Sequence, residues 1–175
     1  MVEQSTLTRS FTVLRSAIYS CGFVFLWAWA VAAARAFDRR IPLEIPPWLQ
    51  VPGLILAACG AVIALWCITT FTIRGKGTPA PFDAPREFVA VGPYAYVRNP
   101  MYLGALAVIV GAGLMLRSPA AVGVGLLFIT LMHLFVIVYE EPTLERQFGE
   151  SYRKYKLSVR RWLPLSHLSE HPKQI

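Results

Sequence analysis

Four stretches without a charged residue divide this chain, and their lengths constrain the fold more than any other feature. They cover residues 16–34, 45–73, 99–116 and 118–139, and contain 19, 29, 18 and 22 residues. An α-helix needs about 20 apolar residues to cross the hydrocarbon core of a bilayer, and the third run only just reaches that length. Charged residues make up 15% of the chain, whereas a soluble domain carries about 25%. The pattern predicts an all-α, polytopic transmembrane bundle of four to five helices.

The first run could instead be part of a signal peptide, because Ala34-Arg35-Ala36 is similar to a small-residue cleavage site. Its apolar stretch is longer than the 7–15 residues of a typical signal-peptide core. We therefore expect the first run to be a membrane helix.

The basic residues predict the orientation. Four crossings place residues 1–15, 74–98 and 140–175 on one side, and these segments hold 13 of the 17 Lys and Arg residues. By the positive-inside rule we expect both termini in the cytoplasm. The basic residues are dispersed around apolar runs, so the net charge of +7 indicates a lipid bilayer as partner and no nucleic acid.

Two segments follow the membrane runs on the cytoplasmic side. The connection 74–98 is rich in Gly, Pro and aromatic residues, which predicts a structured loop packed on the membrane face. After residue 139 the chain becomes polar, and Leu144, Phe148, Tyr152 and Tyr155 recur on one helical face. We expect an amphipathic helix on the cytoplasmic surface, with Trp162 at the interface.

Two motifs stand out at the cytoplasmic ends of the third and fourth runs. One is GPYAYVRNPMYLG at residues 92–104, and the other is Glu140-Glu141. Because the two runs form a hairpin through residues 117–119, both motifs should lie at the same membrane level. An arginine, an asparagine, tyrosines and two carboxylates would then meet beside apolar helices, as in a ligand pocket.

These motifs, followed by FGESYRKY and a late RWLP, resemble the isoprenylcysteine carboxyl methyltransferase family and its bacterial relatives, and more loosely the phospholipid N-methyltransferases. The resemblance covers residues 74–164. It implies a single integral membrane methyltransferase domain over residues 1–175, with two N-terminal transmembrane helices in 1–73 and the catalytic half in 74–175. It also implies the inner membrane of a prokaryote and S-adenosylmethionine as cofactor; the sequence has no G-x-G-x-x-G motif.

Carried onto this sequence, the resemblance implies Arg98 and Glu141 as catalytic residues. The implied cofactor-binding residues are Tyr94, Val97, Arg98, Asn99, Pro100, Tyr102, Leu103, Gly104, Glu140 and Glu141. Either glutamate would face the ammonium or sulfonium of the cofactor. A sulfonium is already a good leaving group, so the protein would chiefly align donor and acceptor.

Two departures from the family pattern bear on the chemistry. Asn99 replaces the usual histidine and cannot carry a proton near neutrality, and Arg160 replaces a proline before the late arginine. His133 lies seven residues before Glu140 on the same helix face. It could reach the site through water or bond to a neighbouring helix.

The methyl acceptor stays open: a prenylcysteine carboxylate or another lipid-like or amphipathic small molecule. Two alternatives differ in class, namely an NADPH-dependent enzyme similar to sterol reductases and a non-catalytic membrane protein that keeps the fold. Cys21, Cys59 and Cys67 lie in apolar runs with no metal-ligand spacing, so we expect no metal. The glycines of runs three and four could serve helix packing or a side opening for a lipid.

Overall fold

The computed structural model describes residues 2–75 and 88–164, and every regular element in these residues is helical. This confirms the predicted all-α bundle. The α-helices are α1 (Val2–Ala34), α2 (Gln50–Thr70), α3 (Pro100–Met115), α4 (Pro119–Phe135) and α5 (Glu141–Ser158). Short 3₁₀ helices cover Arg35–Arg40, Pro47–Leu49 and Gly92–Ala95, and π-helical turns cover Phe71–Gly75 and Val136–Glu140.

Among the described residues, three helical stretches are long and apolar enough to cross a membrane by length and composition. They are Ala17–Arg40, Pro47–Thr70 and Pro119–Ser158. The third run of the sequence forms the shorter helix α3, with 16 residues. At 1.5 Å per residue α3 is about 24 Å long, less than the roughly 30 Å of a hydrocarbon core.

Helices α2 and α3 pack backbone against backbone along a seam of glycines. A Cβ added to Gly60 would lie 2.5 Å from the carbonyl oxygen of Gly104, and one added to Gly111 would lie 2.6 Å from the carbonyl oxygen of Gly53. Such distances leave no room for any side chain. The glycines at 53, 60, 104 and 111 therefore let the two helices approach closely, which is the usual use of small residues between membrane helices.

The predicted hairpin between α3 and α4 is confirmed. Arg117 adopts a positive φ of 53° in the turn, and the Ser118 hydroxyl caps α4 by accepting the Ala121 N–H at 3.1 Å. That hydroxyl donates to Asp38 Oδ1 at 2.9 Å, which ties the hairpin to the segment after α1. A Cβ on Gly113 would lie 2.8 Å from the backbone nitrogen of Val122, so this glycine serves packing and no opening separates the helices here.

Helix α5 has the predicted amphipathic character, with a kink inside it. Gly149 adopts φ 54° and ψ −124° and breaks the helix into two parts, a conformation that glycine reaches without steric cost. The expected apolar face packs inward: Tyr152 and Tyr155 are buried and contact Phe88. The second part of α5 therefore lies over the segment that leads into α3.

We predict that replacing Gly60 by alanine destabilises the protein although alanine is the better helix former. The added methyl meets the backbone of α3, and overpacking of this kind costs about 2 kcal/mol. The measurement is thermal unfolding in detergent. The matched control is Gly123→Ala in α4, where a Cβ would meet nothing within 4 Å and where alanine should stabilise by up to about 1 kcal/mol. Equal stabilities for both variants would contradict the close seam.

Candidate functional site

The segment of residues 92–99 folds tightly against α2 before α3 begins. Gly92 has φ 62°, and a Cβ there would lie 3.3 Å from the Thr70 hydroxyl, so a glycine is required at this turn. The following 3₁₀ helix buries Tyr94, and Pro100 opens α3 at its first position. Arg98 and Asn99 are thereby held directly before the N-terminus of α3.

A cleft lies between this segment, the end of α4 and helix α5. Five of the predicted site residues line it together: Tyr94, Arg98, Asn99, Glu140 and Glu141. The remaining lining residues are Phe71, Phe88, Val89, Leu144, Tyr152 and Tyr155. The cleft has a volume of about 40 Å³ and is open on one side. Its walls are therefore close together.

Glu141 is the centre of an ion-pair network at this cleft. Arg161 donates from Nε to Oε1 at 2.8 Å and from Nη2 to Oε2 at 3.0 Å, the paired geometry that favours arginine with carboxylates. Arg98 Nη1 lies 2.9 Å from the same Oε1, and the side chains of Arg98 and Glu141 are only 11% and 9% exposed. The hydrogen bonds with Glu141 raise the pKa of Arg161, so the Arg161 guanidinium is cationic.

Glu140 has a different environment from its neighbour. Its Oε2 accepts a hydrogen bond of 2.9 Å from the Tyr102 hydroxyl on α3. Among the described residues its other oxygen has no hydrogen-bond partner. Glu140 ends the π-helical turn Val136–Glu140, a widened turn often found at functional sites. The pair thus contains one carboxylate fully engaged by arginines and one with an open oxygen.

Arg98 also keeps an unused donor. Its Nε is buried and has no hydrogen-bond acceptor among residues 2–75 and 88–164. A buried donor without a partner costs free energy, more so on a charged group. The guanidinium is therefore prepared for an anionic group that enters the cleft.

Aromatic side chains form the remaining wall. Tyr155 donates from its hydroxyl to the Tyr94 carbonyl at 2.6 Å, and the Phe71 and Tyr94 rings meet edge to face at 4.9 Å. Burial raises the pKa of Tyr94 well above its usual range. The Tyr94 phenol is therefore protonated at neutral pH and does not serve as a base.

Other predicted residues lie outside the cleft lining. Tyr102 reaches the site through Glu140. Gly104 faces α2 at the glycine seam. Val97 and Pro100 are buried beside the site and Leu103 is half-buried, and none of the three lines the cleft.

The predicted site residues did not include Arg161, although a late arginine was part of the motif that carried the resemblance. No local pattern indicates that this residue reaches Glu141, because the chain must first turn back after α5. The aromatic wall of the cleft could have been predicted from the sequence, since Tyr152 and Tyr155 share the predicted apolar face of α5. His133 accepts a hydrogen bond of 3.0 Å from Trp162 Nε1, so its partner lies in the non-helical segment after α5 and not on the neighbouring helix that was expected.

Metal binding has no support in the described part of the chain. Residues 2–75 and 88–164 contain no group of three or more His, Cys, Asp or Glu side chains that could hold a metal ion. The cysteines are free, and Cys67 alone of the three is buried.

Comparison with known proteins gives one family and two relatives. The family model described as phospholipid methyltransferase matches residues 48–151. An uncharacterized protein of Haemophilus influenzae is 45% identical over 64 residues, which is 36% of this chain and all of the relative. The nickel-cobalt-cadmium resistance protein NccN of Alcaligenes xylosoxydans xylosoxydans is 32% identical over 107 residues, 59% of this chain and 46% of NccN. No solved structure matches the chain.

We predict that Glu141→Gln destabilises the fold as well as the site. The substitution leaves the buried Arg98 without its counter-charge, and breaking a buried ion pair costs about 3 kcal/mol or more. Thermal unfolding in detergent measures the effect. Glu145→Gln is the control, because Glu145 also binds two cations, Arg153 and Lys156, but at the surface, where such pairs contribute little. Similar losses in both variants would contradict a special role for Glu141.

Proposed function

This chain belongs to the phospholipid methyltransferase family, and we propose that it transfers a methyl group from S-adenosylmethionine to a lipid-like or amphipathic acceptor at the cytoplasmic boundary of its membrane. One observation carries the proposal. Glu140 and Arg98 line the same cleft at the ends of α3 and α4, and each keeps a polar atom, one Glu140 oxygen and the buried Arg98 Nε, without a hydrogen-bond partner among the described residues.

The charges of the cleft suit the amino-acid part of this donor. The methionyl group of S-adenosylmethionine carries an ammonium and a carboxylate on one carbon. Arg98 Nε would hold the carboxylate and Glu140 the ammonium, each through a charge-assisted hydrogen bond. Arg98 Nε is buried and Glu140 is half-buried, so water competes less for them than at the surface. NADPH offers no such pair of adjacent opposite charges, which favours the methyl donor over the reductase alternative.

The remaining lining suits the rest of the donor. Phe71, Phe88, Tyr94, Tyr152 and Tyr155 offer ring faces for a purine and for a positively charged sulfur. When bound, the cofactor supplies a methyl group on a sulfonium that is itself the leaving group. The walls of the cleft must separate to admit a molecule of this size, because the volume of ligand pockets is generally several hundred Å³.

The chain's own task is then alignment. Glu141 holds Arg98 in place, and Tyr102 fixes the orientation of Glu140 by its hydrogen bond. A carboxylate acceptor needs no base at neutral pH. An amine acceptor would need its proton removed before transfer. In either case the rate enhancement comes chiefly from holding the methyl donor and the acceptor in one geometry.

The position of the cleft favours an acceptor with an apolar tail. Leu144, Phe88 and Val89 form part of its lining, and it lies at the ends of helices that are apolar enough to be in lipid. The distribution of basic residues supports the cytoplasmic side. A polar donor would then come from the cytosol and a lipid-like acceptor from the bilayer.

We predict that Glu140→Gln weakens S-adenosylmethionine binding by about tenfold or more, since a hydrogen bond to a charged group contributes about 1.5–3 kcal/mol. Glutamine keeps an oxygen for Tyr102, so the fold should be retained. Isothermal titration calorimetry with S-adenosylmethionine, S-adenosylhomocysteine and NADPH makes the measurement. Glu150→Gln at the exposed end of an ion pair is the control.

Comparing S-adenosylmethionine with S-adenosylhomocysteine shows which group of the cofactor Glu140 contacts. Equal losses for both forms place the carboxylate at the ammonium, which they share. A larger loss for S-adenosylmethionine places it at the sulfonium, which only that form carries. Wild-type protein that binds NADPH and neither methionyl compound would overturn the proposed function.

We predict a steep dependence of turnover on acceptor tail length. Acceptors with one head group and increasing tails should gain up to about 0.8 kcal/mol per buried CH₂, or about fourfold in apparent affinity. Methyl transfer into the series is measured in detergent and in vesicles. Equal use of water-soluble acceptors would argue against a bilayer substrate.

A further inference from the structure

After α5 the chain turns back and crosses the N-terminus of α3. Residues 159–164, here called the C-terminal strap, lie beyond the residues 48–151 that match the family. The Arg98 backbone N–H donates to the Arg160 carbonyl at 2.9 Å, and the Asn99 side-chain amide donates to the Arg161 carbonyl at 3.3 Å. The strap is therefore bonded to the two residues that precede α3.

The strap brings one of two adjacent arginines to the site. Arg161 makes both hydrogen bonds to Glu141, whereas Arg160 is exposed. Both side chains have the same charge and length. A shift of the strap by one residue would offer Arg160 in place of Arg161 and still satisfy Glu141 electrostatically. Charge alone therefore does not decide which arginine is used.

The next residue, Trp162, distinguishes the two possible positions, or registers, of the strap. Trp162 donates from Nε1 to His133 Nδ1 at 3.0 Å, across to α4. The indole N–H is a donor only, so His133 must accept with an unprotonated Nδ1. His133 lies eight residues before Glu141, about 12 Å along the helix. The strap is thus attached at two separated points, to α4 through Trp162 and to the first residue of α5 through Arg161.

We propose that His133 and Trp162 are positioning residues that set the register of the strap, so that Arg161, and not Arg160, engages Glu141. Glu141 in turn holds Arg98, a lining residue of the cleft whose buried Nε has no acceptor among the described residues. The effect on donor binding rests on the proposed function; the register itself does not. The competing explanation is that Trp162 only fills space, because it also packs against the buried apolar cluster that contains Tyr102 and Phe128.

Two substitutions of His133 separate hydrogen bonding from packing. Asparagine places an acceptor oxygen at the position of Nδ1, whereas leucine fills similar space without one. We expect His133→Leu to weaken S-adenosylhomocysteine binding by about tenfold and His133→Asn by less than about threefold. Trp162→Phe should behave like His133→Leu. Equal weakening by leucine and asparagine, or wild-type affinity in the leucine variant, would overturn the proposal.

The register is tested without any ligand by thermal unfolding. In wild-type protein Arg161→Gln should lower the unfolding midpoint by about 3 °C or more, and Arg160→Gln should leave it unchanged. In the His133→Leu background Arg160→Gln should become destabilising, because both registers are then populated. Arg160→Gln that stays silent in both backgrounds would overturn the proposal. The expected unfolding pattern without donor binding would instead overturn the proposed function alone.

Discussion

The buried carboxylate of Glu141 is the interaction on which the geometry of the site depends. It joins three parts of the chain that are distant in sequence: the segment before α3 through Arg98, the junction of α4 and α5, and the C-terminal strap through Arg161. Each arginine alone would be a cation brought next to apolar helices at high desolvation cost. One carboxylate shared between them offsets part of this cost for both, and the paired hydrogen bonds from Arg161 fix its orientation.

This sharing also explains how two adjacent glutamates take different tasks. Consecutive side chains on a helix point about 100° apart. Glu141 is directed to the arginines, while Glu140 is directed to Tyr102 on α3. Both arginines pair with Glu141, whereas Glu140 accepts its hydrogen bond from Tyr102 and lies outside the ion-pair network. The family-level activity requires a polar pocket at a membrane boundary, and this division supplies one with few charged groups.

Much of this arrangement could be predicted from the sequence, because apolar length and turn residues are local properties. The runs predicted the bundle, residues 117–119 predicted the hairpin, and the hairpin predicted that Arg98 and Glu141 meet across 43 positions. The pairing of Arg161 with Glu141 could not be predicted, since it depends on how the chain turns back after α5. Gly104 is the converse case, a residue that the motif assigned to the cofactor site. The structure places it where α2 and α3 touch. A motif records which residues occur together and not which contact requires each one.

The glycine seam between α2 and α3 has a consequence for how such a protein can evolve. A clash between two side chains can be relieved by a smaller residue on the partner helix. At Gly60 and Gly111 an added side chain would meet the carbonyl oxygens of Gly104 and Gly53, and every amino acid has a carbonyl oxygen. No second-site substitution on the facing helix can remove that obstacle. Lineages of this chain are therefore free to vary the lipid-facing surface of α2, but a larger residue at the seam could be accommodated only if the two helices moved apart.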